Sequence, residues 1–194
     1  MDKPQALHAH AADNLRFIRD TMSRAGQFTA VPGWGGVTMG ITAIATAALA
    51  SRAADRTQWL LWWFGDAAVA IGIAIVTMSR KARRLELPLV TAPAKRFAFA
   101  YVPPLAAGAV LTAVFFTSGL TTRLPGMWLL LYGVAIATAG TLSVRVVQVT
   151  GVAFMALGAA SFAAPAAYGD AFMAAGFGGL HIVFGLIIAR NHGG

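Results

Sequence analysis

Apolar residues in this chain gather into six long runs, separated by short stretches that hold most of the charges and the chain-breaking prolines. A helix needs about 20 mostly apolar residues to cross a hydrocarbon core roughly 30 Å thick. The runs over 33–50, 59–78, 97–120, 126–142, 146–163 and 171–189 are of that order. Ser51-Arg52 stops the first run, and the basic stretch Arg80-Lys81-Ala82-Arg83-Arg84 stops the second. Pro103-Pro104 near the start of the third predicts an opening turn or a kink, because proline has no backbone donor. Ala164-Pro165 breaks the fifth, Asp170 is placed as the N-cap of the sixth, and Arg190 ends it. The pattern predicts an all-α polytopic membrane protein of six transmembrane helices in three hairpins. Its connections shorten toward the C-terminus, so helices four to six are expected to pack as antiparallel neighbours.

The first 28 residues follow a different rule. Ala11, Leu15, Ile18, Met22 and Ala25 recur at helical spacing, while Asp13, Arg16, Asp20 and Arg24 occupy other faces and pair at i,i+3 and i,i+4. This predicts an amphipathic helix that lies in the membrane interface or covers a groove on a partner through Leu15, Ile18 and Met22. The segment mixes both signs of charge and lacks an apolar run with a small-residue cleavage site, so no secretory signal is expected. The division is therefore 1–28, a cytoplasmic N-terminal segment, and 29–194, a six-helix transmembrane domain.

Orientation is read from Lys and Arg, which favour cytoplasmic loops. With the N-terminus inside, twelve of the 15 basic residues fall on the cytoplasmic side, and only Arg52, Arg56 and Arg123 fall outside. Both termini are then cytoplasmic. Trp59, Trp62, Trp63 and Trp128 are expected at the outer interface, and Trp34 at the inner one, as an aromatic belt.

Composition strengthens this picture. The chain is 58% hydrophobic and 11% charged, with mean hydropathy +0.68, whereas about a quarter of a soluble domain is charged. An ordinary soluble fold is excluded. The absence of cysteine excludes disulfides, thiolate metal sites and cysteine nucleophiles. In a soluble protein a formal charge of +8 would suggest nucleic acid, but here the excess flanks apolar runs, so the expected partner is anionic lipid of the inner leaflet. Arg80, Lys81, Arg83, Arg84, Lys95 and Arg96 form the largest such patch, each contributing about 1 kcal/mol near the surface.

Few groups inside the runs carry chemistry. A carboxylate within an apolar helix costs several kcal/mol unless it is neutral or paired, which singles out Asp66. It is expected to face the interior, where it binds and releases a proton or accepts a hydrogen bond from a neighbouring helix. His181 shares a face with Gly178 and Gly185 in the sixth run. Its imidazole is suited to pair with Asp66, relay a proton, bond another helix, or ligate haem with Met39, Met155 or Met173 as the second ligand. A bis-histidine haem within one chain is excluded, since His8, His10 and His192 lie outside the runs. Glycine clusters at 33–36 and 176–179 lack dinucleotide-binding spacing. Gly36 with Gly40, and Ala175 with Gly179, are small-x-x-x-small pairs for close helix contact within the chain or between copies.

The hairpin GVAFMALGAASFAAP followed by GFGGLHIVFGLIIA resembles the small-residue hairpins of the HdeD-like family of six-span bacterial membrane proteins. The resemblance implies a helical bundle in a bacterial inner membrane, associated with envelope or acid stress. It assigns no role to Asp66 or His181. The sequence thus leads to a non-enzymatic protein, without cofactor or metal, handling a small solute or proton through Asp66 and His181, as a homo-oligomer or part of a membrane complex. A structural or regulatory subunit docking through the N-terminal helix is the alternative, and a haem-bearing electron carrier is a third.

Overall fold

The computed structural model describes residues 13–14, 31–84, 86 and 91–192. Leu15, Ile18 and Met22 of the expected amphipathic helix lie outside the described residues. Among those described there is no strand. The chain forms α1 (Gly33–Ala50), α2 (Arg56–Arg84), α3 (Ala92–Thr117), α4 (Leu124–Gly140), α5 (Arg145–Ala163) and a composite α6. The last runs through α-helical Gly169–Met173, π-helical Ala174–Leu180 and α-helical His181–His192. All of these helices except α4 are long and apolar enough to cross a bilayer. At 17 residues and 1.5 Å per residue, α4 is about 26 Å long.

Local chemistry fixes the helix ends. Asp55 caps α2 by accepting from the Gln58 amide at 2.8 Å, while the Gln58 side chain accepts from the Ala54 amide at 2.6 Å, a variant of the capping box. Thr91 caps α3 through the Ala94 amide at 3.2 Å. Gly119, with φ of 72°, closes α3 in a Schellman turn: the Leu120 and Gly119 amides bond back to the Phe115 and Phe116 carbonyls. Pro103 and Pro104 lie inside α3, which continues through them as one helix. Pro104 leaves the Ala100 carbonyl without its usual amide, and the Thr138 hydroxyl of α4 comes within 3.1 Å of it. Asp170 is not the N-cap of α6, because Tyr168 takes that position and Asp170 stands in the first turn.

Packing is densest between α4 and α5 and between α1 and α6. The first and last helices are thus paired, and α6 leans mainly on α1 rather than on α5. Small residues set the distance. A Cβ on Gly40 would fall 2.6 Å from the Gly178 carbonyl oxygen, and one on Gly133 would fall 2.7 Å from the Met155 nitrogen, so only glycine admits these approaches. Around Leu124, Leu129 and Phe154, all fully buried, α4 forms the centre.

The other two helices are peripheral. α2 packs on α1 and α3 on α4, and although consecutive in the chain they share no extended contact. Their outward faces are apolar: Leu61, Phe64, Ile71 and Ile75 on α2, and Phe99, Val102 and Val110 on α3, are exposed. Inward, α2 presents Trp59, Trp63, Asp66, Ala70, Ile73, Thr77 and Lys81, a stripe at spacings of three and four that is buried or half-buried. Apolar residues outside and polar ones within are compatible with a membrane location.

Three tryptophans expected in an outer belt turn inward instead. Trp59 and Trp63 are buried on the α2 stripe, and half-buried Trp128 donates to the Thr112 hydroxyl at 3.0 Å. Each indole has found a neighbouring helix to pack on, so these residues no longer testify to orientation. Trp34 and Trp62 are exposed.

Candidate functional site

The polar groups inside the bundle fall into two neighbouring sets joined by aromatic rings. The first lies between α1 and α2. Asp66 is half-buried, and its carboxyl meets the hydroxyls of Thr42 and Thr46 on α1. Thr42 has only one hydroxyl proton and gives it to the Met39 carbonyl at 2.9 Å. The Asp66 Oδ1 atom is buried with no hydrogen-bond partner among the described residues. One helical turn earlier on the same stripe, the buried Trp63 Nε1 is likewise without a partner. Buried polar atoms are paired in the great majority of cases, so an orphaned donor and an orphaned acceptor side by side are unusual.

The second set surrounds His181. The Tyr132 hydroxyl of α4 lies 2.7 Å from His181 Nε2, and His181 Nδ1 lies 2.9 Å from the Phe177 carbonyl. A carbonyl only accepts, so Nδ1 carries a proton; in the neutral ring Nε2 then accepts from Tyr132. The Tyr101 phenol of α3 interacts with that of Tyr132, which extends the polar chain to a third helix. Phe177 sits inside the π-helical stretch, a form that concentrates at functional sites. Both ring nitrogens of His181 are thus engaged by protein groups. Met155 packs against Gly133, and Met173 is buried in the apolar core.

Aromatic contacts connect the sets. Trp63 is 6.2 Å from Phe177, and Phe177 stacks 6.2 Å from His181 and lies 4.9 Å from Tyr132 between ring centroids. Phe154 closes the box at 5.3 Å from His181. Toward the start of α2, Trp59 lies 6.1 Å from Trp63 and donates through Nε1 to Asp170 Oδ1 at 2.6 Å. There Arg56, Trp59, Thr121, Thr122, Gly169 and Asp170 line a small, partly open cleft.

Asp66 and His181 are therefore held by different partners and do not bond one another: threonines of α1 flank the first, and Tyr132 with the Phe177 carbonyl holds the second. Gly36, Gly40, Gly178 and Gly185 lie where α1 meets α6. Ala175 is exposed, and a Cβ on Gly179 would meet only the Ala174 carbonyl at 4.0 Å, so that pair faces away from the α1 contact. Arg80, Arg83, Arg84, Lys95 and Arg96 are exposed. Lys81 leaves this patch: it is buried and donates to the Val31 carbonyl at 2.9 Å, tying α2 to the start of α1.

From the sequence Trp63 reads only as part of an aromatic belt, and Thr42, Thr46, Tyr101 and Tyr132 are not singled out. The spacing of Trp59, Trp63 and Asp66 at i, i+4 and i+7 places them on one stripe and was available as a signal, as was a lone tyrosine in Leu129-Leu130-Leu131-Tyr132. Their partners belong to other helices, which no local pattern specifies. Among the described residues no cluster of histidine and carboxylates forms a metal site. Comparison of the chain with known protein families, with curated proteins and with solved structures finds no match to any of them.

Proposed function

We propose that this chain is a non-enzymatic inner-membrane protein that takes up a proton or small solute within the bundle, with Asp66 as the binding group and His181 as its polar neighbour. One observation carries the reading: the Asp66 Oδ1 atom is buried between helices with no hydrogen-bond partner among the described residues, although the Thr42 and Thr46 hydroxyls flank its carboxyl. A carboxylate at the centre of an apolar helix costs about 3 kcal/mol on insertion scales, and its retention there is a mark of function. The apolar outer faces of α2 and α3 support a lipid setting. With α4 taken as a crossing, the chain spans six times and both termini share the side that holds most of the Lys and Arg.

The exposed Arg80, Arg83, Arg84, Lys95 and Arg96 then meet anionic lipid of the inner leaflet. The outward Ala175–Gly179 face is the small-residue surface left for a second copy. The resemblance to HdeD-like hairpins suggests a bacterial setting for the same reading. Proton flux into proteoliposomes, followed with an entrapped pH dye alongside uptake of small neutral solutes, tests the role of Asp66. Asp66→Asn is expected to reduce flux at least tenfold while the circular dichroism spectrum stays unchanged. An unchanged flux in that variant removes Asp66 from the mechanism.

A further inference from the structure

Two buried side-chain atoms among the described residues lack any hydrogen-bond partner, and they are complementary. Trp63 Nε1–H is a donor that cannot accept; Asp66 Oδ1 in its charged form is an acceptor that cannot donate. They stand three residues apart on the inner stripe of α2, a spacing that puts side chains side by side about 5–6 Å apart at Cβ. Trp63 is only 9% exposed, so open solvent does not serve its indole. Trp59 Nε1 is committed to Asp170, the Thr42 hydroxyl to Met39, and both His181 nitrogens to Tyr132 and Phe177, while the Thr46 hydroxyl meets the Asp66 carboxyl and leaves Oδ1 itself without a partner.

We infer that Trp63 and Asp66 form a single binding site for a hydroxyl group, which accepts from the indole N–H and donates to the carboxylate. This deepens the proposed function and rests on it, because it names what Asp66 receives. A hydroxyl offers a lone pair and a proton on one atom, the complement of this donor and acceptor. A purely cationic ligand leaves the indole unpaired, and a purely anionic one is repelled by the carboxylate. Two sources supply such a group: water, which makes the site a station for a proton, and a small polyol, which makes it a station for a solute. The polar cleft at Arg56, Trp59 and Asp170 is separated from Trp63 by the Trp59 ring, whose centroid lies 6.1 Å from that of Trp63.

The test uses the full chain in liposomes and Trp63→Phe, which retains an aromatic ring against Trp59 and Phe177 but removes the N–H. Ultraviolet resonance Raman difference spectra, wild type minus variant, read the hydrogen-bonding state of that one indole. A bonded N–H is expected both in the wild type and in Asp66→Asn, whose site still offers the hydroxyl an acceptor. A free N–H in the wild type overturns the inference. Proton flux and glycerol-driven swelling are then measured on the same vesicles. A fall of tenfold or more in proton flux alone identifies water as the source, and a similar fall in glycerol entry identifies a polyol. If neither falls in Trp63→Phe while Asp66→Asn still stops flux, the shared hydroxyl site is wrong and the role of Asp66 stands. If Asp66→Asn leaves flux intact, the proposed function fails, and this inference fails with it.

Discussion

At the residue scale, Trp63 Nε1 and Asp66 Oδ1 are the buried side-chain atoms without a hydrogen-bond partner among the described residues, and they define the proposed site. Tyr132 and His181 are a matched pair at 2.7 Å. Replacing Tyr132 with Phe keeps the ring against Phe154 and Phe177 and strips the donor from Nε2. The expected cost is about 1–2 kcal/mol, since a half-buried acceptor is left without its bond. Reversible unfolding in mixed micelles measures it, and a loss near zero shows that the bond adds nothing to stability. Trp59→Phe likewise keeps the contact with Trp63 and loses the bond to Asp170. There the open cleft admits water to the carboxylate, so a smaller loss, about 1 kcal/mol, is expected from the same measurement.

At the element scale, the glycine contacts decide which helices are neighbours. Gly40→Leu drives a side chain into the Gly178 carbonyl and Ile182, where backbone cannot yield, and should cost about 3 kcal/mol or more as α1 is pushed from α6. Gly65→Ala, at a position where a Cβ meets nothing within 4 Å, should leave stability unchanged or slightly raised. Thermal unfolding of the two variants side by side checks both. The helices themselves were legible in the sequence because length and hydropathy are local properties, and the charged stretches at 51–52 and 80–84 punctuate them. Neighbour relations were not. The α1–α6 pairing joins the two ends of the described bundle, and the small-residue pattern that marks Gly36 and Gly40 marks Ala175 and Gly179 equally, though only the first pair meets a helix in this chain. The same limit explains the tryptophans and Lys81. Residue type alone favours an interfacial belt and a lipid-facing cation, whereas a partner from another helix, Asp170 for Trp59 and the Val31 carbonyl for Lys81, draws each inside. Asp66 was legible as an isolated carboxylate in an apolar run, while Trp63 beside it reads as an ordinary apolar aromatic until its N–H is followed.

At the scale of the whole molecule, polar groups lie inside an apolar exterior, and the proposed six-span topology makes α4 a crossing between α3 and α5. The chain has no cysteine, so single introduced cysteines report topology without background. Ala54→Cys and Thr122→Cys should react with an impermeant maleimide added to intact cells, and Thr141→Cys only after the membrane is opened. Labelling of all three from one side would remove α4 as a crossing and change the number of spans. Infrared spectroscopy of the reconstituted protein reaches the Asp66 carboxyl within that bundle most directly. If Asp66 takes and releases a proton, the difference spectrum of wild type minus Asp66→Asn should hold a carboxylic C=O band that appears and vanishes reversibly with bulk pH, the bands of the six other Asp and Glu side chains cancelling. A difference spectrum with no such band at any pH would contradict a protonating Asp66.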